Sequence, residues 1–296
     1  MRILLLGANG QVGYELRRSL APLGEVVCAT RDGRLADDGG AACEVADLDR
    51  PDTLPALVER IGPDVVVNAA AYTAVDRAES EREAAFRANA EAPGALAGAC
   101  ARRDALFVHY STDYVFDGTA TRPYREDDPV APLGVYGESK LAGERAVQAS
   151  GARHMVFRTA WVYADRGRNF MLTMLRLAAE RDELRVVADQ AGTPTPAALI
   201  ADATAAMLRR PFAGSGLWHL TAGGGTTWHG FAEAIVERAH VLGRIPRRPR
   251  VLPITSAEYP TPARRPAWSR LDCSKFERDA GFRLPDWSHA LHAVLR

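Results

Sequence analysis

The sequence predicts an α/β protein built on a doubly wound sheet of parallel strands, with a smaller C-terminal unit, and three observations carry that prediction. Short aliphatic runs alternate with helical stretches through the first half of the chain. The runs are apolar at successive positions, so both faces of each strand are to be covered. A glycine-rich turn, Gly7-Ala8-Asn9-Gly10-Gln11-Val12-Gly13, separates the first run from the first helix.

Ile3–Leu6, Val26–Ala29, Asp64–Ala70, Leu106–Tyr110 and Met155–Thr159 read as buried parallel strands, and Cys43–Ala46 as a weaker one. Gln11–Leu23, Pro51–Ile61, Glu81–Arg103 and Tyr136–Ser150 read as the helices between them. Asp113–Leu133, rich in Asp, Pro and Gly, reads as a long loop, a length that is uncommon without a function. Beyond about residue 165 the pattern changes. Asn169–Arg181, Leu199–Leu208 and Trp228–Ala239 read as helices and Leu184–Val187 as a strand, with a Gly/Pro/Thr loop at Gln190–Pro196. Gly243–Arg270 shows little regular pattern. The division expected is 1–165 for a first domain and 166–296 for a second, with a later strand free to rejoin the first sheet.

Composition narrows the function. The 37 basic residues balance 37 acidic ones, so charge points to neither nucleic acid nor membrane. Cys28, Cys43, Cys100 and Cys273 are widely spaced, which suits a reducing cytoplasm and argues against a zinc site or a disulfide framework. The histidines show no metal-ligand spacing, and no metal is expected. Met1-Arg2 precedes four aliphatic residues, too few for a signal peptide, and no apolar run is long enough for a membrane span.

The glycine turn is placed to hold a dinucleotide. Gly7 and Gly10 permit close approach of a pyrophosphate, and Gly13 lets helix and strand pack closely, with the phosphate at the helix N-terminus. The second strand ends at Thr30-Arg31, where an acidic residue would select NADH. Arg31 suits the 2′-phosphate of NADPH, while Asp32 beside it keeps NADH open. Asp47-Leu48 suits adenine contact. Asn68-Ala69-Ala70-Ala71 ends a strand in small residues, suited to a flat cofactor or equally to close helix packing.

The chain holds two lysines, Lys140 and Lys275, among its basic residues. One lies four residues after Tyr136, on the same face of a helix. An ammonium beside the phenol is expected to lower the phenol's pKa and make it a proton donor and acceptor at neutral pH. The strand ending in His109-Tyr110-Ser111-Thr112-Asp113 brings a hydroxyl to the same end of the sheet, where ligands sit. Either Ser111 or Thr112 fits that role.

Six segments carry a resemblance to a known family. They are GANGQVGYEL at 7–16, VNAAAYTAVDRAE at 67–79, HYSTDYVFDG at 109–118, APLGVYGESKLAGE at 131–144, FRTAWVYA at 157–164 and TPARRPAWSRLD at 261–272. In these the chain resembles the extended short-chain dehydrogenase/reductases, which have a Rossmann-type sheet, and among them the dTDP-4-dehydrorhamnose reductases. The resemblance implies an NADPH-dependent reductase of a nucleotide-linked sugar. It makes Tyr136 the proton donor, Lys140 its partner and a nicotinamide-ribose ligand, and Thr112 the tuning hydroxyl. It puts Gly10, Gln11, Val12, Asp47, Leu48, Ala71, Tyr72 and Thr73 along the cofactor and Thr112, Asp113 and Trp161 on the substrate. Some members are dimers joined by Mg²⁺ held by glutamates. Here Glu15 matches one ligand position, Ala198 stands where another aligns, and Arg296 ends the chain without an acidic tail. The metal is therefore not carried over, and monomer and homodimer both stay open.

Competing readings attach to several of these residues. Trp161 is either core or a substrate-stacking ring. Arg264, Arg265 and Arg270 either clamp a diphosphate or line a solvated loop. His289 and His292 read as a helix surface, and Glu126, Asp127 and Asp128 as solvated. The alternatives are an epimerase, a dehydratase or a reductase of another nucleotide-linked deoxysugar, or a catalytically silent subunit. Net consumption of NADPH separates a reductase from the epimerases and dehydratases, and the presence of Thr112, Tyr136 and Lys140 together argues against a silent subunit.

Overall fold

Successive residues of the first strand point to opposite faces of the sheet. Ile3 and Leu5 join one buried cluster with Leu16, Leu20, Ile200 and Phe157. Leu4 and Leu6 join another with Leu57, Leu96, Cys100 and Phe107. A strand buried on both sides needs helices on both sides, and the chain supplies them. The structure, a computed structural model, describes residues 1–210 and 214–296. Helices Gln11–Leu20 and Ala197–Leu208 cover one face. Helices Leu54–Ile61, Ala92–Arg102 and Val135–Ala149 cover the other.

The main sheet has seven parallel strands. Its order is Gly216–His219, His154–Thr159, Leu106–Thr112, Val65–Asn68, Arg2–Leu6, Glu25–Thr30 and Glu44–Val45. The chain moves outward from Arg2–Leu6 in one direction, then returns and moves outward in the other. The order therefore reverses between Arg2–Leu6 and Val65–Asn68. Such a reversal opens a crevice at the carboxyl ends of the strands.

The strand that rejoins the sheet from the second half is Gly216–His219, paired with His154–Thr159. Glu183–Val187 pairs instead with Arg250–Ile254, inside the Pro- and Arg-rich stretch that shows no pattern in sequence. A third core of Tyr163, Met171, Met174, Phe231, Ile235 and Leu291 holds the helices of this second unit. Two short helices, Ser274–Ala280 and Trp287–Val294, end the chain. His289 and His292 lie exposed on the last.

The expected helix Glu81–Arg103 is interrupted. It runs as Arg82–Phe86, a π-helical turn Arg87–Glu91, and Ala92–Arg102. The expected loop Asp113–Leu133 is well anchored. Phe116 stacks on Tyr124 at 4.1 Å, and Tyr124 donates to Asp117. Glu126 is not solvated but half-buried, accepting from the backbone of His219. Asp128 is paired with Arg122.

Candidate active site

The glycine turn lies at the crevice. Gly7 has φ +77°, and a Cβ there would come 2.7 Å from the Ala70 nitrogen. A Cβ on Gly13 would come 2.0 Å from the Gly7 carbonyl oxygen, so the helix sits on the turn at a distance only glycine allows. Gly10 is the N-cap of helix Gln11–Leu20, and no side chain caps that helix. Its first N–H groups are therefore free to meet an anion. Opposite the turn, Ala69, Ala70, Ala71, Tyr72 and Thr73 follow the strand Val65–Asn68, and the Ala69 nitrogen donates to Leu6. Gln11 accepts from Asn169, whose amide also binds the Ala164 and Arg166 carbonyls. Val12 packs against the core.

A cavity of about 470 Å³ lies beyond the second strand, lined by Arg31, Asp47, Arg50, Thr53 and Arg60 among others. Asp32 turns back to accept from Thr30 Oγ1 at 3.0 Å and from the Arg34 nitrogen. The Thr30 side chain is thus spent on its own turn and is buried, so it is not free for a ligand. Among the described residues Arg31 pairs only with Asp47, at 3.8 Å, and is largely exposed. Leu48 packs into the core, leaving only its backbone for contact.

Across the crevice, strand Leu106–Thr112 delivers Thr112 and Asp113, and helix Val135–Ala149 delivers Tyr136 and Lys140. Their closeness depends on Gly137, where a Cβ would lie 2.3 Å from the Tyr114 carbonyl oxygen. Tyr114 and Tyr136 meet edge to face at 5.6 Å. The two candidate hydroxyls differ in their surroundings. Thr112 donates to Asp113 Oδ1 at 3.0 Å and its hydroxyl pulls the Tyr136 phenol's pKa down, while Ser111 Oγ is buried and, among the described residues, without a partner.

The phenol does not behave as the Tyr–Lys spacing predicts. Burial pushes Tyr136 up to about 12, against the pull of the Thr112 hydroxyl, and the Asp113 carboxylate adds to the rise. Lys140 is not among the groups that set it. Its ammonium turns inward and donates to the Tyr110 carbonyl at 2.6 Å, with His109 Nε2 at 3.5 Å. Burial brings Lys140 down to about 8. Residues four apart share a helix face, but both side chains are long enough to part.

Burial also raises Asp113 to about 6, opposed by the Ser269 and Thr112 hydroxyls. Asp113 Oδ2 and Thr159 Oγ1 are buried and, among the described residues, have no hydrogen-bond partner. Thr159 is the register neighbour of Thr112. Unsatisfied buried oxygens grouped at a crevice can be met by the hydroxyls of a ligand.

Trp161 follows strand His154–Thr159 with φ +47°, a strained value for a bulky residue. Trp228 covers one of its faces at 3.5 Å, nearly parallel. Trp228 also lines a cavity of about 600 Å³ together with Phe170, Met174, Tyr259, Asp76 and Arg265. Arg265 makes a bidentate pair with Asp76 at 3.0 and 2.9 Å, tying the second half of the chain to the first. Arg270 lies over the Trp268 ring and Arg264 is exposed, so the three arginines do not share one task.

Several buried polar residues that organise the site carry no recognisable motif. Asn89, in the π-helical turn, accepts from the Tyr72 nitrogen and donates to the Tyr72 carbonyl and to Ser139 Oγ. Asn68 and His109 interrupt apolar strands, and that interruption is the one signal the sequence offers for them. Among the described residues no cluster of three or more metal-ligating side chains occurs.

Comparison with known proteins places this geometry. The family described as RmlD substrate binding domain matches residues 1–296. A dTDP-4-dehydrorhamnose reductase of Burkholderia thailandensis is 52% identical over 305 residues, covering 100% of this chain and 98% of the relative. That of Escherichia coli K12 is 46% identical over 299 residues, covering 100% and 97%. The crystal structure of a dTDP-4-dehydrorhamnose reductase from Bacillus anthracis in complex with NADP aligns with TM-score 0.88 and 32% identity, covering 99% and 98%. One from Clostridium acetobutylicum aligns with TM-score 0.88 and 34% identity, covering 100% and 98%. A match over the whole length in sequence, in fold and in the order of the site segments means that this chain belongs to the RmlD family.

Proposed function

We propose that the chain is a dTDP-4-dehydrorhamnose reductase, reducing dTDP-4-dehydro-β-L-rhamnose to dTDP-β-L-rhamnose with NADPH. The observation that carries this is the convergence of the Tyr136 phenol, the Thr112 hydroxyl and the half-satisfied Asp113 carboxylate across the crevice from an uncapped glycine turn. The glycine cradle fits a dinucleotide: Gly7, Gly10, Gln11, Val12 and Gly13 would hold the pyrophosphate, and Ala69 to Thr73 would face the nicotinamide half. Bound there, NADPH supplies the hydride.

The protein's own residues do the rest. Thr112 and Tyr136 hold the sugar carbonyl oxygen, and Tyr136 gives it a proton. A phenol raised to about 12 stays protonated at neutral pH, as a donor must. Asp113 accepts a sugar hydroxyl, which the empty valence of Oδ2 allows. Lys140 holds ribose and replenishes the phenol. The cavity beside Trp228 and Tyr259 takes the nucleotide, with Trp161 at its inner edge. The domain division at about residue 165 separates these two tasks. No described helix is long and apolar enough to cross a membrane, and we place the enzyme in the cytoplasm.

The test is purified protein with NADPH and dTDP-4-dehydrorhamnose. One NADPH consumed for each dTDP-rhamnose formed supports the reading. A changed sugar without net loss of NADPH would make it an epimerase.

A further inference from the structure

His109 has no part in the reaction described above, yet it is fully buried against it. It lies in strand Leu106–Thr112, stacked on Phe107 at 6.0 Å. Asn68 Nδ2 meets its Nδ1 at 3.3 Å. The orientation of the Asn68 amide is set independently, because Asn68 Oδ1 accepts from the Ala70 nitrogen at 3.2 Å. The amide therefore presents N–H to the ring, and Nδ1 must accept. Burial and the neighbouring Lys140 hold the imidazole neutral. A neutral ring that accepts at Nδ1 carries its proton on Nε2. That N–H points at Lys140 Nζ, 3.5 Å away.

Two donors then face one another as long as Lys140 is an ammonium. They become a hydrogen bond when Lys140 is an amine, whose lone pair accepts from Nε2 while it still donates to Tyr110. We propose that His109, its tautomer fixed by Asn68, is a positioning residue for Lys140 that favours the amine form and so eases the return of a proton from lysine to the active-site phenol. This rests on the assignment of Lys140 as the partner of Tyr136.

The other groups around Lys140 are few. Glu144, one turn along the helix, favours the ammonium, but both its oxygens are engaged by Arg158 at 2.8 and 2.7 Å. Tyr136 lies one turn the other way. The Tyr110 hydroxyl is turned to Thr204 and leaves only its carbonyl for Lys140. With Lys140 near 8, a proton can leave it and be regained near neutral pH, which is where such exchange is most effective.

The test uses His109→Gln, whose amide can turn its oxygen toward Nζ and accept from the ammonium. The high-pH limb of the kcat profile is expected to move up by about one unit. Turnover at neutral pH is expected to fall several-fold, with KM for NADPH little changed. A loss of kcat with the limb unmoved would reduce His109 to packing and overturn the proposal. An independent arm is ¹⁵N-imidazole NMR of the native protein. The Nε2–H tautomer at His109 supports the proposal, and the Nδ1–H tautomer overturns it even if His109→Gln does not fold. This arm needs no substrate, so it reads separately from any failure of the reductase assignment.

Discussion

Glu144 and Arg158 form a bidentate ion pair that is buried on both sides, one helical turn past Lys140. Arg158 comes from the strand beside Thr112 and also lies over the Phe116 ring at 5.1 Å. The pair thereby pins the helix carrying Tyr136 to the sheet. Removing one partner leaves a buried charge uncompensated, which costs about 3–5 kcal/mol. Glu144→Gln should lower the urea midpoint accordingly. Glu144→Leu combined with Arg158→Met buries no charge and should recover most of the loss. A single variant as stable as the native protein would show the pair to be idle.

Tyr136→Phe removes one hydroxyl and keeps the ring against Tyr114. The fold should survive, and kcat should fall by about 10²- to 10⁴-fold, the usual range for general acid catalysis. Lys140→Arg keeps the charge, but the slot between the Tyr110 carbonyl and His109 is shaped for an ammonium. Activity should be largely lost and thermal stability reduced. Steady-state kinetics beside a melting curve measures both, and a Lys140→Arg enzyme of native turnover would remove the lysine from the mechanism.

Asp113 supplies a pH dependence whose sign can be worked out. Its carboxyl is raised in the fold to about 6 from an ordinary value near 4. Its contribution to stability is full below the ordinary value and is lost as pH rises through about 6. Asp113→Asn should therefore be more stable than the native protein at pH 7, by about 1–3 kcal/mol, with the advantage shrinking toward pH 4. Sugar binding should weaken at the same time. Denaturant melts at the two pH values, with calorimetric titration of the nucleotide sugar, test the two halves separately.

Cofactor choice is predicted to rest on Arg31. With Asp32 turned back onto Thr30 and Arg31 tethered only loosely, the guanidinium is free to meet a phosphate. Arg31→Ala should weaken NADPH by about tenfold or more while leaving NADH nearly unchanged. Fluorescence titration of both cofactors into the apo protein measures this, and equal losses for the two would mean that Arg31 does not read the 2′-phosphate.

Much of the framework is legible in the sequence, because strands buried on both faces are apolar at successive positions, as at Ile3–Leu6. Gly216–His219 escapes notice because it is four residues long and sits at the sheet's edge. Arg250–Ile254 escapes because its Pro253 and the arginines around it mask an edge strand. The break at Arg87–Glu91 has a local cause in Pro93, which has no N–H for the Asn89 carbonyl, but the partners that fix the Asn89 side chain, Tyr72 and Ser139, are distant in sequence. The same holds for Lys140. Its spacing from Tyr136 is read directly, but the carbonyl that draws it away belongs to another strand.

The clamp at Asn89 couples two walls of the crevice. One amide binds the main chain of Tyr72, on the proposed cofactor wall, and the hydroxyl of Ser139, one turn from Tyr136. The separation between the Tyr72 segment and the helix that carries Tyr136 is thus spanned by a single side chain, so a shorter one at 89 would let the two walls move independently.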